Sequence, residues 1–558
     1  MGGGGDTSAA MDAAAQIRKA SLRASSGFRG LVQNRKVFGV AMFACLGGYC
    51  CIFPVCDMGD AVTNQTKKGW LTSILELGAW FGALYSGPLC ERFSRKYTIL
   101  ANVCIFCLGV VIQTTAVAKN GGPSNILGGR FVTGMGVGSL STSVPMYNAE
   151  IAPPEVRGSL VAMQQLAITF ASYLRSKGCY SQVRINYGTN HIGGTGDTQK
   201  NAAWLLPLAL QLVPAVILGI GMIFMPFSPR WLVHHDREEE ALNVLTNLRG
   251  LPVDDPILQL EFLEVKAQSL FEKRTEKEKF PHLERTNIWS YIKLEAAGYK
   301  SLFTSWPMFR RVMVATVTMT FQQWTGVNAV LYYAPSIFAQ LGMSDNTTSL
   351  LATGVVGIAM FIATIPAVIW IDNLGRKPVL VVGAIGMASC HFIIAGIFGQ
   401  NENQWDTHRA AGWGAVAMVW LFVVHFGYSW GPCAWIIIAE IWPLSVRAKG
   451  TSLGASANWM NNFIVGQVTP DMLSGIKYGT YIFFGLITTL GALFIAFLVP
   501  ETKQLSLEEM DTIFGSEGTA VADYERQVAI SREIGLDDAL VRLGGGSSVE
   551  EVEEVKTG

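Results

Sequence analysis

Apolar positions in this chain do not alternate with polar ones; they gather into runs. About 20 apolar residues are needed for a helix to cross the hydrocarbon core of a bilayer. Such runs fall near 37–55, 69–89, 98–118, 126–148 and 159–176, then 203–226, 312–341, 348–371, 378–398, 412–439, 450–471 and 478–499. They predict twelve membrane-spanning helices, with a long polar stretch at 228–311 after the sixth. Inside that stretch, 238–249 and 257–279 carry helical patterning with mixed charges on their polar faces, the signature of a solvated bridging segment. The chain therefore divides into an N-terminal segment 1–36, a six-helix half 37–227, a central loop 228–311, a second six-helix half 312–499 and a tail 500–558. The tail is polar from Gly515 onward, ends in Glu550-Glu551-Val552-Glu553-Glu554, and reads as disordered.

Composition supports an all-α membrane protein. Half of the residues are hydrophobic and 15% are charged, against about 25% charged in an ordinary soluble domain. Lys plus Arg and Asp plus Glu balance at 42 each, which argues against a nucleic-acid partner. The ten cysteines lie mostly in or beside apolar runs without metal-ligand spacing, and the seven histidines are scattered. No enzyme, metal or cofactor is expected. His391 and His425, inside spans, read as packing residues, with a proton relay as the alternative. Residues 1–36 are Gly/Ala-rich, then basic, so the first apolar run reads as a span and not as a cleaved leader. Basic residues cluster at Arg29, Arg35 and Lys36 and in the loops after spans 2, 4, 6, 8 and 10. That places both termini and the central loop in the cytoplasm. The sequons at Asn64 and Asn346 then fall in external loops, as glycosylation requires.

One span stands out chemically. Gln322-Gln323-Trp324-Thr325-Gly326-Val327-Asn328, continuing to Tyr332-Tyr333, lies inside an uncharged run at 312–344. So many hydrogen-bonding groups in a span are costly unless they face a cavity or a partner. On a straight helix Gln322, Gly326 and Tyr333 share a face that Asn328 leaves. All face one cavity if the helix unwinds near Gly326. Carboxamides both donate and accept, which suits a neutral, hydroxyl-rich ligand. The alternative is a polar contact between helices of a bundle.

The chain also repeats itself. Arg92-Phe93-Ser94-Arg95-Lys96 after span 2 matches Asp372-Asn373-Leu374-Gly375-Arg376-Lys377 after span 8. Glu150, with Arg157, after span 4 matches Glu440, with Arg447, after span 10. Motifs at equivalent places in two halves indicate a duplication about an axis along the membrane normal.

These motifs, with Glu91, Gly129-Arg130, the glycines 134, 136 and 138, Pro145-Met146-Tyr147, Ser228-Pro229-Arg230-Trp231-Leu232, Trp430-Gly431-Pro432, Asn458-Trp459 and Pro500-Glu501-Thr502-Lys503, run in order over about 65–515. In that order they resemble the sugar porters of the major facilitator superfamily, in their fungal hexose- and quinate-type branch. The resemblance implies the major facilitator fold and alternating access about a central site. It implies a plasma-membrane monomer that takes up a hexose-type monosaccharide with protons. By resemblance, Gln165, Gln322, Gln323, Asn328, Trp435 and Asn458 hold the sugar, Trp435 offering its indole face; an interfacial anchor is the other reading of Trp435. Met360 replaces a usual polar contact. Glu91, Arg95, Arg130, Glu150, Arg157, Asp372, Arg376, Glu440 and Arg447 form the cytoplasmic charge network that closes the inner end in the outward-facing state. Loops that only fix topology would explain the basic residues, but not a Glu at the same place in both halves. A quinate or polyol permease and a non-transporting nutrient sensor on the same fold are the rival readings.

Two stretches depart from the family pattern. Gly48-Tyr49-Cys50-Cys51 stands where proton-coupled relatives often carry an Asp after Gly-Tyr, and Asp57 lies too near the outer edge to replace it. Span 5 runs into Arg175, Lys177 and Arg184, and each cation held at a span's centre costs roughly 2.5–3.5 kcal/mol. A faulty gene model or altered splicing would produce both departures, and a genuine variant with a shortened span 5 is the alternative; sequencing the transcript separates them. Helices 1 and 5 are where activity is most exposed to impairment.

Overall fold

The computed structural model describes residues 65–117, 122–151, 202–279, 281, 288–341, 354–366, 375–402, 404–405, 407–443, 446–502, 513–515, 517–536 and 539. The expected spans 1 and 5, with Asn64, Arg157, Gln165, Asn346 and Asp372, lie outside them. Every regular element among the described residues is a helix. The first group comprises α1 (Gln65–Phe93), α2 (Arg95–Thr114), α3 (Gly122–Ile151), α4 (Ala202–Leu210) and α5 (Leu212–Phe224). α4 and α5 divide one expected span at Gln211, because Pro214 has no N–H for the Leu210 carbonyl. The second group comprises α10 (Trp306–Trp324), α11 (Val327–Gln340), α12 (Gly354–Pro366), α13 (Arg376–Asn401), α14 (Arg409–Tyr428), α15 (Trp430–Glu440), α16 (Arg447–Gly475) and α17 (Gly479–Leu498). Between the groups lie α6 (Pro229–His234), α7 (Glu238–Arg249), α8 (Pro256–Lys279) and α9 (Ile288–Ser301).

Each group has its own apolar core. One joins Val103, Phe106, Leu140 and Tyr147 with Leu218 and Met222; the other joins Val314, Tyr333, Phe338, Met387, Phe422, Trp430 and Ile438. Large apolar side chains such as Phe224 and Phe497, 81% and 80% exposed, point outward. This inversion of the soluble pattern suits a helix bundle surrounded by lipid.

The glycine series of α3 has a packing cause. A Cβ on Gly134 would lie 2.0 Å from the Leu75 carbonyl oxygen, and one on Gly138 1.9 Å from that of Ala79. From α1, Gly78 and Gly82 approach the Phe131 and Met135 carbonyls as closely, at 2.2 Å. Small residues four apart on both helices thus let the backbones of α1 and α3 touch. Across the groups, α1 lies along α16. Ser73 Oγ donates to Gln467 Oε1 at 2.9 Å, Trp80 Nε1 to Ser456 Oγ at 2.8 Å, and Thr66 Oγ1 to Asp471 Oδ1 at 3.3 Å.

Of the bridging helices, α9 bonds to the second group, Tyr299 donating to Ser452 of α16 at 3.2 Å and Glu295 pairing with Lys449 at 3.3 Å, whereas α7 and α8 are fastened to the first group. Arg249 donates to the Ile151 carbonyl at 3.1 Å and forms a buried ion pair with Glu261 at 2.6 Å. Part of the tail is ordered, contrary to its polar composition: α18 (Glu517–Glu533) docks on α8. Ile530 and Leu536 supply an apolar edge that packs against Leu260, Ala267 and Phe271. Arg274 pairs with Glu533 at 2.7 Å and Arg526 with Glu278 at 2.6 Å around that edge. Just before α18, the Phe514 ring lies under Arg311 of α10, 4.8 Å from its guanidinium carbon. The tail thus runs from the second group to the helices held by the first.

Candidate functional site

The span at 312–341 is two helices. α10 ends at Trp324, and Gly326 begins α11 with φ +89°, a left-handed conformation that glycine takes without strain. The break falls at the glycine that must unwind for Gln322 and Asn328 to share a side. A second break opposes it: α14 stops at Tyr428, Ser429 sits at φ −118° and ψ −87°, and α15 restarts at Trp430. Pro432 leaves the Tyr428 carbonyl without its helical donor, which favours that break.

Carboxamides join the two breaks. Gln322 Nε2 donates to the Trp430 carbonyl at 2.8 Å and the Gly431 carbonyl at 3.3 Å. Gln322 Oε1 accepts from Asn458 Nδ2 of α16 at 2.6 Å. Asn328 Nδ2 donates to Gln323 Oε1. Tyr332 donates to Asn462 Oδ1 at 3.1 Å, and Trp324 Nε1 to Asn461 Oδ1 at 2.9 Å. Gln322, Gln323 and Asn458 are buried, and Trp435 is half-buried against the second core. Met360 is buried in that core. His391 is also a packing residue: its Nε2 lies 2.9 Å from the Thr325 carbonyl freed by the break, and its ring lies 4.5 Å from that of Phe422. Sequence reasoning missed Asn461 and Asn462, although both follow Asn458 within one turn of the same helix.

At one end of the bundle two charge clasps repeat. Arg95 pairs with Glu150 at 2.7 Å, and Ser228 Oγ donates to the other Glu150 oxygen. Arg376 pairs with Glu440 at 3.0 Å, and Thr502 Oγ1 donates to the other Glu440 oxygen. Both pairs lie within their own group. Glu501 accepts from the backbone N–H of Arg376 and Lys377 at 2.9 and 3.0 Å, so it caps α13. Glu91 gives its backbone carbonyl to Trp231 Nε1 at 2.9 Å. Arg447 stands within electrostatic reach of Glu440.

Arg130 stands apart from the clasps. It is buried, and its Nη2 donates to the Thr72 carbonyl at 3.1 Å, toward the opposite end of α1 from Arg95. Beside it is Glu76, buried at 4% exposure, which sequence reasoning passed over. The signal was there: it is the one carboxylate in the run 69–89, and ionisable residues inside spans are functional candidates by default.

The family model described as "Sugar (and other) transporter" matches residues 56–514. A probable quinate permease of Aspergillus niger is 32% identical over 465 residues, covering 83% of this chain and 81% of its own. The quinate permease of Emericella nidulans is 31% identical over 505 residues, covering 89% of each. Among solved structures, the proton:xylose symporter XylE bound to 6-bromo-6-deoxy-D-glucose superposes with a TM-score of 0.64 at 25% identity, covering 86% of this chain and 99% of that one. The inward-open XylE of E. coli gives 0.63 at 24% identity, with the same two shares covered.

Proposed function

This chain belongs to the sugar (and other) transporter family, and on that premise we propose that it takes up hexose-type monosaccharides by alternating access, coupled to protons. The observation that carries this reading is the carboxamide cluster joining two broken helices. Gln322, Gln323, Asn328 and Asn458 bond to one another or to the Trp430 and Gly431 carbonyls beside the second break. Sugar hydroxyls both donate and accept, so they can take over these bonds one for one without leaving a buried group unpaired. Trp435 of α15 supplies an apolar face for the ring, and Gln165 is assigned the facing wall from the first half. Cations are absent from the described carboxamide cluster, which favours a neutral ligand.

In this reading 37–227 and 312–499 are the rocking halves, 228–311 is the cytoplasmic joint, and both termini are cytoplasmic in a monomer of the plasma membrane. The clasps Arg95–Glu150 and Arg376–Glu440, with Arg157, Asp372 and Arg447, stiffen the inner end of each half so that it moves as a body. Proton coupling is supported by the likeness to XylE, a proton:xylose symporter. A second reading has specific support: the relatives at 31–32% identity carry the name quinate permease. Quinate shares the hydroxylated ring and adds a carboxylate.

Uptake of labelled hexose and of labelled quinate in a host lacking its own transporters, with and without a protonophore, tests these readings. Saturable hexose uptake abolished by the protonophore is the expected result. Quinate uptake alone replaces the substrate, protonophore-insensitive uptake removes the coupling, and surface expression without uptake of either favours a sensor.

A further inference from the structure

We propose that Glu76 is the residue that takes up and releases the transported proton, acting against Arg130 and Tyr332. The inference rests on the proton-coupled reading above and supplies the acid that the Tyr49-Cys50 stretch does not. Glu76 and Arg130 are 4% and 3% exposed, on two helices whose backbones touch. Neither side chain is fully satisfied: Glu76 Oε2 and Arg130 Nε are buried without a hydrogen-bond partner among the described residues. A carboxylate and a guanidinium buried on touching helices only to hold them together would be expected to form a direct ion pair, and among the described residues these two interact only electrostatically.

The third member comes from the other group. Tyr332 of α11 faces Glu76, and its hydroxyl donates to Asn462 of α16 at 3.1 Å. Tyr333 also lies within electrostatic reach of Glu76 and Arg130, with its hydroxyl committed to the Gly466 carbonyl at 2.7 Å. α16 contributes Gln467 and Asp471, which bond to Ser73 and Thr66 further toward the start of α1. On the described faces around Glu76, Arg130 is the single cation and Asp471 the nearest further carboxylate to act on this cluster.

This arrangement responds to one proton. A neutral Glu76 leaves the Tyr332 hydrogen with Asn462, inside the second group. An ionised Glu76 is the stronger acceptor; it competes for that hydrogen and draws the Arg130 guanidinium. Loading and unloading therefore change whether α11 is tied to its own group or to α1. A bond that differs between charge states biases the equilibrium between arrangements of the two groups. In each cycle an O–H bond forms at the Glu76 carboxylate with a proton from water on the entry side and breaks to water on the other. No electrons are exchanged, and one positive charge crosses with each substrate molecule.

Purified full-length protein in liposomes, with radiolabelled D-glucose and quinate as probes, separates this proposal from the reading beneath it. Wild-type protein that transports but does not accumulate substrate under an imposed pH gradient overturns both. If wild type accumulates substrate, Glu76→Gln is expected to lose accumulation and substrate-induced proton uptake while keeping counterflow exchange, and Glu76→Asp to restore accumulation. Accumulation by Glu76→Gln at the wild-type level overturns the proposal. If Glu76→Gln neither exchanges nor accumulates, an apolar carbodiimide on wild type decides. The carboxyl O–H adds across the reagent and the acyl group shifts to nitrogen, leaving a stable N-acylurea and no other product. An adduct on the Glu76 peptide, with a rate falling about tenfold per pH unit above its midpoint, supports the assignment. Absence of that adduct at every pH overturns it.

Discussion

Ser94 and Gly375 hold the same backbone conformation at equivalent points of the two repeats. Ser94 sits at φ 83° and ψ 154° before α2, and Gly375 at φ 89° and ψ 155° before α13. The region is essentially reserved for glycine, and a residue with a Cβ is strained there by about 1–3 kcal/mol. Part of that strain is offset at Ser94, whose hydroxyl accepts from the Tyr97 N–H at 3.3 Å. Ser94→Gly is therefore expected to raise the unfolding temperature of purified protein. The reverse change, Gly375→Ala, meets a second obstacle, because its Cβ would lie 2.9 Å from Glu501 Oε2. It should lower stability by more than Ser94→Gly raises it. Thermal unfolding of both variants measures this.

The α1–α3 contact leaves no room for a side chain at Gly138. Gly138→Val is expected to force the helices apart, at a cost of about 1–3 kcal/mol or more. Fluorescence-detected size exclusion of a tagged variant should show a smaller monodisperse peak. A normal peak with normal thermal stability would mean that the backbones do not touch.

Removal of Asn458 leaves Gln322 Oε1 without its donor and removes a proposed sugar contact. Asn458→Ala is expected to weaken apparent affinity about tenfold, in line with the 1–3 kcal/mol cost of an unmade buried hydrogen bond. Concentration-dependent hexose uptake checks it. An unchanged KM would exclude Asn458 from the site.

The clasps bear on the transport rate. Glu440→Ala removes the acceptor for both Arg376 and Thr502, and Arg157→Ala alters the corresponding motif of the first half. Both are expected to slow uptake while surface expression persists. Unchanged uptake in both variants would exclude the clasps from gating.

The tail contact offers a further handle. Ile530→Asp places a carboxylate in the apolar edge where α18 meets Phe271. Faster amide exchange in both α18 and α8 is the expected outcome, and an effect confined to α18 would mean that α8 does not need its partner.

Much of the fold was legible because the helices are long and apolar on their outer faces, so α2, α13 and α17 fall close to the apolar runs at 98–118, 378–398 and 478–499. The break at Gly326 was legible because on a straight helix Asn328 leaves the face that Gln322 and Tyr333 share. The tail was misread because its docking rests on a few apolar residues at and just past the end of α18, Ile530, Ile534 and Leu536, too few to lift an acidic, polar segment out of the disordered class. Glu76 was missed for the opposite reason, since one carboxylate hardly changes the hydropathy of its run. Arg130 was grouped with the clasps by motif alone, while its bond to Thr72 is a tertiary fact that no spacing encodes. That Ser228 and Thr502 play one role was also hidden, because their surrounding motifs share little sequence.

Those two hydroxyls bear on how the protein is made. Ser228 follows the last helix of the first group, and Thr502 follows the last helix of the second. Each donates to the glutamate of a clasp within its own group. The finishing contact of each group thus comes from residues translated only after all of that group's helices. The first group can fasten itself at the ribosome before the second exists. A chain severed within the central loop keeps both fasteners, and its fragments should assemble when expressed together.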